Sequence, residues 1–137
     1  MIYDMDNIKE RIEELEVLES EADENDKELF YDVEAELNNL REFAETVRNE
    51  DDDIVDALLE YYRNDKDVLT IVGDIVKNKR FSEYEDVEEY GRMIVDELEP
   101  EVPTYIRSYV DFEGFAQDSL SGQDYVETGY GKIIILY

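Results

Sequence analysis

The stretch that decides the fold is DYVETGYGKIIILY, residues 124–137. It contains two short β-favouring runs, DYVET and KIIILY, which are joined by the glycine turn GYG and therefore predict a hairpin. An isolated two-stranded hairpin is marginally stable in water, so the apolar run at its end needs cover from other elements. We expect this cover from four aromatic residues that precede the hairpin: Tyr105, Tyr109, Phe112 and Phe115.

The chain before this hairpin has the period of amphipathic helices, because apolar residues recur every three or four positions with carboxylates between them. Helices are predicted over 5–21, 27–48, from about 52, and over 66–77, 83–98, 103–110 and 112–120. Ser82 and Glu85 have the S-x-x-E spacing of a capping box, which indicates where the fifth of these helices begins. Gly73 lies inside the fourth helix, where glycine costs up to about 1 kcal/mol against alanine, so we expect a close packing contact there.

The order of these elements predicts the fold class. The first two helices can pair as an antiparallel hairpin, each burying one apolar stripe. The predicted fold is α+β and mostly helical: an acidic helical hairpin, then a helical region, then a small C-terminal β-hairpin packed on helices. We expect two domains, an acidic helical arm over residues 1–50 and a second part over 51–137.

The charge restricts the possible partners. Among 137 residues, 40 are Asp or Glu and 13 are Lys or Arg, which gives a formal net charge of −27. A surface this negative repels nucleic acid and anionic membranes, so neither is expected as a direct partner. The expected partner is a basic protein.

The residues that are missing restrict the chemistry. The sequence contains no histidine and no cysteine, which removes the usual near-neutral acid or base, the commonest metal ligands and disulfides. The acidic stretch over 23–34 lacks the glycine that a calcium loop requires at its sixth position. We therefore expect no enzymatic activity, no cofactor and no metal. The N-terminus lacks the features of a signal peptide, and no apolar stretch approaches the ~20 residues that span a bilayer.

The remaining signal is the charge itself. Duplex DNA carries one negative charge per ~1.7 Å of axis, so 27 charges correspond to roughly 46 Å of duplex. Acidic helices could present carboxylates at a comparable density to a protein that grips DNA phosphates. Two other interpretations remain open: an acidic interaction or scaffolding protein of a phage, and a salt-adapted protein whose charge serves only solvation.

Several motifs in the C-terminal part share a spacing with a known family. They are DVEEYGRMIVDE at 86–97, Val102–Pro103, YIRSYVDFEGFAQD at 105–118 and the closing IIILY at 133–137. In this order the motifs resemble the ArdA family of antirestriction proteins. Residues 55–82 are similar to the middle part of that family more loosely, so the resemblance covers about 55–137.

The resemblance implies a function and a partner. ArdA proteins are encoded on plasmids, transposons and phages, mimic bent B-form DNA, and inhibit type I restriction–modification enzymes without catalytic residues. It thus implies a DNA-mimic inhibitor in the cytoplasm of a bacterial host, with a basic DNA-binding nuclease as partner. The candidate partner-binding carboxylates are Asp51, Asp52, Asp53, Asp56, Glu60, Glu83, Glu85, Asp86, Glu88, Glu89, Asp96 and Glu97.

The resemblance also implies a homodimer formed through the part that corresponds here to 85–103. The candidate dimer contacts are Tyr90, Met93, Ile94 and Val95; the alternative is that these four are ordinary core residues. Residues 1–50 depart from the family, whose members usually begin with an α/β domain. This departure leaves a second target open, an anti-CRISPR role against the basic DNA channel of an effector nuclease.

Overall fold

The computed structural model describes residues 3–21, 27–98 and 109–137. The chain forms two compact units, Met1–Asn78 and Lys79–Tyr137. A boundary after residue 50 therefore falls inside the first unit. The described residues are mostly helical with one small antiparallel sheet, which confirms the predicted fold class.

The first unit consists, over its described residues, of four helices. They are α1 (Met5–Glu21), α2 (Lys27–Thr46), α3 (Asp52–Tyr61) and α4 (Val68–Lys77). The observed bounds of these helices lie at or within two residues of the bounds that the apolar period predicted. Helix α1 packs along α2, as the predicted hairpin requires, and both α2 and α3 pack against α4.

The core of the first unit is aliphatic. The most deeply buried side chains of α1, α2, α3 and α4 are Ile8, Leu15, Leu37, Leu40, Ile54, Val55, Leu58, Leu59 and Val72. Burying one such side chain contributes about 1.5–3 kcal/mol. The ion pairs Arg11–Glu36 and Arg41–Glu16, at 2.9 and 3.1 Å, join α1 to α2 on the surface. Exposed pairs contribute about 0.2–1 kcal/mol each, so the apolar stripes dominate the packing of this unit.

The expectation of a tight contact at Gly73 is wrong. A Cβ atom at this position would lie 3.6 Å from Cδ2 of Phe43 and 3.9 Å from Cγ2 of Thr46, which are ordinary van der Waals distances. Helix α4 therefore has room for a methyl group on that face. The close helix contact of this protein occurs at Gly91, in the second unit.

The second unit combines a three-stranded sheet with two described helices. The strands are β1 (Phe81–Tyr84), β2 (Tyr125–Glu127) and β3 (Ile133–Leu136), and the helices are α5 (Val87–Leu98) and α6 (Phe112–Leu120). The sheet is antiparallel in the order β1-β3-β2, with Tyr84 opposite Ile133 and Tyr125 opposite Ile135. The predicted hairpin of β2 and β3 is confirmed, and β1 is an additional strand that the sequence pattern did not reveal.

The turn between β2 and β3 is held by one threonine and one glycine. The backbone N–H of Thr128 donates to the carbonyl of Lys132 at 2.9 Å, and the N–H of Gly131 donates to the carbonyl of Thr128 at 3.0 Å. The buried Thr128 hydroxyl accepts from the Lys132 N–H at 3.1 Å. Gly131 has a φ of 86°, in the left-handed region that favours glycine, so this position fixes the turn.

The predicted start of the fifth helix is wrong by four residues. Ser82 lies in β1, and α5 begins at Val87. The cap is formed by Asp86, whose Oδ1 accepts from the Glu89 N–H at 2.7 Å, while the Glu89 carboxylate accepts from the Glu85 N–H. The chain thus uses a second pair with the same spacing, because pairing with β3 takes the residues around Ser82 into the sheet.

The aromatic cover predicted for the hairpin is also wrong. Tyr109 and Phe115 are 87% and 48% exposed, and Phe112 is half-buried. Tyr105 and most of the short helix expected over 103–110 lie outside the described residues. The core that covers the sheet consists instead of Tyr90, Ile94, Ala116, Leu120, Ile133 and Ile135, with Tyr84, Val87 and Met93 packed against it.

Helices α5 and α6 touch through their backbones. A Cβ atom at Gly91 would lie 1.9 Å from the carbonyl oxygen of Phe112. No side chain fits in that space, so glycine is required where the two helices meet. Arg92 adds a contact at the same junction, with its guanidinium 5.3 Å from the centre of the Phe112 ring.

Candidate protein-interaction surface

Negative charge is present on both units, at different densities. Met1–Asn78 contains 26 acidic and 8 basic residues, a net charge of −18, and Lys79–Tyr137 contains 14 acidic and 5 basic residues, a net charge of −9. Each unit taken alone is thus an acidic body. A basic partner would be attracted to either unit.

The densest carboxylates of the predicted site lie on α3. Asp52, Asp56 and Glu60 are spaced by four residues and share one face, with Asp53 beside them. The opposite face is buried and consists of Ile54, Val55, Leu58 and Leu59. With Asp51, five carboxylates occupy about 14 Å of helix at ~1.5 Å per residue. This is roughly one charge per 3 Å, close to the ~3.4 Å between phosphates along the axis of one DNA strand.

Asp56 has a structural role as well as a charge. Its Oδ1 accepts a 2.7 Å hydrogen bond from the Met5 backbone N–H, which stabilises the first turn of α1. The side chain is half-buried, and this burial raises the pKa of Asp56 against the opposing effect of the Met5 hydrogen bond. The nearby charges of Asp4, Asp52 and Asp6 raise it further. Among the predicted residues, Asp56 thus supports the fold of the surface on which it lies.

The predicted carboxylates of the second unit lie on β1, α5 and the residues between them. Five of them are exposed and outside the helix cap: Glu83, Glu85, Glu88, Asp96 and Glu97. Asp86 and Glu89 are exposed too, but they form the cap of α5. Glu88 lies 2.6 Å from the guanidinium of Arg92, so part of the charge on α5 is balanced within the helix.

The candidate dimer contacts lie on α5. Tyr90 and Val95 are each 2% exposed and Ile94 is 7% exposed, while Met93 is half-buried. Tyr90 and Ile94 belong to the core that covers the sheet within one chain. Their part in a homodimer stays a prediction, and Met93 is the most accessible of the four.

An open groove of about 420 Å³ lies beside this core, and the sequence patterns did not reveal it. Tyr84 from β1, Met93 and Glu97 from α5, and Ser119 and Gln123 from α6 and beyond contribute to its lining. The Gln123 side-chain amide donates to the Tyr90 hydroxyl at 3.0 Å and to the Ser119 hydroxyl at 3.1 Å. These residues are distant in the sequence, and the packing of α5 against α6 together with the pairing of β1 with β3 brings them together.

Two other kinds of site were sought in the described part of the chain. There, no group of three or more acidic side chains is arranged to hold a metal ion. None of the helices described combines the length and the apolar character needed to cross a membrane.

Comparison with known proteins identifies the family. The family model of the antirestriction protein ArdA matches residues 1–133. No curated protein and no solved structure matches the chain. The match begins at residue 1, so it also includes the helical hairpin of α1 and α2, which the resemblance over 55–137 had left outside. Since nearly the whole sequence is matched, the chain belongs to the ArdA family of antirestriction proteins.

Proposed function

We propose that this protein inhibits a type I restriction–modification enzyme by occupying its DNA-binding channel as a mimic of duplex DNA. Membership of the antirestriction family supports inhibition of restriction–modification as the broad function. The observation that carries the finer proposal is the α3 strip, which consists of Asp51, Asp52, Asp53, Asp56 and Glu60. Its average density of carboxylates along the helix axis is close to that of phosphates on one DNA strand. The protein would act stoichiometrically, without catalysis, in the cytoplasm of a bacterial host.

The physical basis is electrostatic complementarity with little loss of conformational entropy. Proteins that grip DNA do so with Lys and Arg side chains directed at phosphates. Carboxylates on a packed helix are already positioned, so binding need not order the backbone that presents them. Here the buried face of α3 holds the strip in place through four apolar side chains.

A competition assay tests the proposal. A purified type I enzyme is bound to a fluorescent duplex that contains its recognition site, and displacement by this protein is followed by anisotropy from low to high salt. Since the Debye length falls from about 10 Å at 0.1 M to about 3 Å at 1 M, displacement should weaken steeply as salt rises. Unlabelled duplex should compete with the protein for the enzyme. Displacement that is indifferent to salt and to added duplex contradicts DNA mimicry.

Two controls separate mimicry from bulk charge and from another target. A polyglutamate chain of the same net charge should displace the duplex far less well, because its carboxylates are not positioned by a fold. Equal displacement by polyglutamate would leave charge as the whole explanation. A CRISPR effector with its guide, tested in parallel, should keep its DNA. Displacement from the effector and none from the type I enzyme would favour the anti-CRISPR alternative.

A further inference from the structure

The groove of the second unit has the lining of a site for a cationic side chain. The rings of Tyr84 and Tyr90 lie 5.0 Å apart, and Met93 and Ile94 add apolar wall. Glu97 is exposed at the groove and is the one charged residue among the described residues that line it. The groove thus combines aromatic, apolar and anionic surface in one opening.

The polar groups of the groove are held in place. Gln123 bonds both the Tyr90 and the Ser119 hydroxyls, so one end of the groove is a fixed cluster of neutral polar groups. Partial burial raises the pKa of Tyr84, and the neighbouring Tyr137, Tyr90 and Glu97 add to the rise. The Tyr84 phenol therefore stays neutral near pH 7, and its ring can stack on a cation.

We infer that this groove binds an arginine side chain from the basic surface of the protein partner. The guanidinium is planar and weakly hydrated, so it can lie over the Tyr84 ring while it donates to the Glu97 carboxylate. Its aliphatic stem would pack against Met93. Charge complementarity supports this occupant, since the whole unit has a net charge of −9 and its groove presents a carboxylate.

The inference deepens the proposed function and rests on it for the identity of the partner. The α3 strip and the other exposed carboxylates would attract any basic surface over a distance. The groove would instead select a protein that places an arginine where this opening can receive it. It would therefore contribute specificity that charge density alone does not provide.

The first test is independent of any nuclease. The amide spectrum of the full chain is recorded by NMR with Nα-acetyl-arginine methylamide, its neutral isostere Nα-acetyl-citrulline methylamide, and the corresponding lysine. The arginine should shift the amides of Tyr84, Met93, Glu97 and Gln123 at concentrations where citrulline does not, with lysine weaker. Shifts spread evenly over exposed carboxylates would overturn the inference.

The second test uses paired variants. Glu97→Gln removes the charge and keeps the shape, and Glu113→Gln makes the same change on α6 at an exposed residue that does not line the groove. Because Glu97→Gln removes a charged partner at a specific contact, it should weaken displacement of duplex DNA from the type I enzyme by about tenfold. Glu113→Gln should weaken the same displacement by less than about twofold. Tyr84→Phe keeps the ring and should behave as the parent, whereas Tyr84→Leu should bind the arginine probe less.

The outcomes distinguish the groove from the proposed function. If the parent displaces no duplex from the type I enzyme but the NMR shifts localise, the proposed function fails and the groove stands. The groove inference fails alone under a different set of results: the parent displaces duplex, the arginine probe causes no localised shifts, and the two Gln variants displace duplex equally well. Groove amides that shift with protein concentration, together with a dimer by light scattering, would make a second copy the occupant and overturn the arginine assignment.

Discussion

The first and second units bury their apolar residues in different ways. In Met1–Asn78, long aliphatic side chains from four described helices fill the space between them. In Lys79–Tyr137, α5 and α6 approach until the backbone at Gly91 meets the carbonyl of Phe112, and isoleucines of β3 pack against them. The first core depends on side-chain volume, and the second depends on the absence of a side chain at one position.

The two units also differ in charge. The first unit has a net charge of −18. The second unit has half that net charge, and it contains the groove with its aromatic lining. We interpret the first unit as the main source of long-range attraction and the second as the source of a specific contact.

The largest effect should come from Gly91 on α5 of the second unit, compared with Gly73 on α4 of the first. Gly91→Ala should lower the free energy of unfolding by more than about 3 kcal/mol, because its Cβ would overlap the Phe112 carbonyl. The gain in helix propensity, about 1 kcal/mol, is too small to offset this. Gly73→Ala should be neutral or stabilising, since its Cβ meets only ordinary contacts. Urea unfolding of both variants measures the difference, and equal midpoints would contradict the close packing of α5 and α6.

A second pair of substitutions compares a buried aliphatic residue with an exposed aromatic one. Leu15 on α1 is 1% exposed, so Leu15→Ala should cost about 3 kcal/mol. Phe115 on α6 is 48% exposed, so Phe115→Ala should cost less than about 1 kcal/mol despite the larger side chain removed. Thermal melting of both variants checks this. If Phe115→Ala melted lower than Leu15→Ala, the exposed position of that ring would be wrong.

Local sequence patterns predicted the elements whose cause is local. The bounds of α1 and α6 follow from apolar period and capping residues, and the turn at Gly131 follows from the backbone angles that glycine permits. Strand β1 was missed because its partner, β3, lies about fifty residues further along the chain. Ser82 and Glu85 have the spacing of a cap, and only this long-range pairing shows that the cap is formed by Asp86 instead.

The same distinction holds for the candidate site. The sequence was enough to predict Asp52, Asp56 and Glu60 as candidate carboxylates, and α3 places the three on one face. The hydrogen bond from Met5 to Asp56 joins residues 51 positions apart, and no pattern indicates it. Which aromatic rings are buried depends on the rotation of α6, whose Ala116 and Leu120 are buried while Phe115 is not.

Neutralising carboxylates in blocks should show which unit contributes more to inhibition. The α3 block replaces Asp51, Asp52, Asp53, Asp56 and Glu60 by their amides. The α5 block does so for Glu83, Glu85, Glu88, Asp96 and the exposed Glu113, and it leaves Glu97 of the groove unchanged. Both blocks change the net charge from −27 to −22. The α3 block should weaken displacement of DNA from the type I enzyme by about tenfold or more, and the α5 block should weaken it less.

The reason lies in the density of the carboxylates, since the α3 block takes five of them from the ten residues of 51–60. Ion pairs do not distinguish the blocks. Asp52 lies 3.6 Å from Lys9 and Glu60 lies 3.9 Å from Arg63, while Glu88 lies 2.6 Å from Arg92. The single variants Asp53→Asn and Glu83→Gln serve as controls and should each lose less than about twofold, since distributed contacts are individually weak. One single variant that abolished displacement while still folded would show that a specific site exists in place of the distributed surface.

The smallest effect concerns the half-buried carboxylate that joins α3 to α1. Burial and the nearby Asp4, Asp52 and Asp6 raise the pKa of Asp56 in the folded protein, although the Met5 hydrogen bond acts in the opposite direction. The folded state then binds this proton more tightly than the unfolded state, so stability from this group is lost as pH rises through the raised pKa. Asp56→Asn keeps the amide oxygen as an acceptor for Met5 and removes the charge.

At pH 7, Asp56→Asn should therefore be slightly more stable than the parent, by about 0.5 kcal/mol or less because solvent screens a group this exposed. The difference should shrink as the pH falls through the raised pKa of Asp56, because the folded parent then takes up the proton. Asp53→Asn, on the same helix, measures how much stability is gained when any one charge is removed from a protein of net charge −27. The gain in stability from Asp56→Asn should be larger than this. If Asp56→Asn were less stable at pH 7 and recovered in acid, the ionised carboxylate would be a favourable cap for α1. The link between α3 and α1 would then depend on the negative charge of Asp56 and not only on the hydrogen bond that Asp56 accepts from Met5.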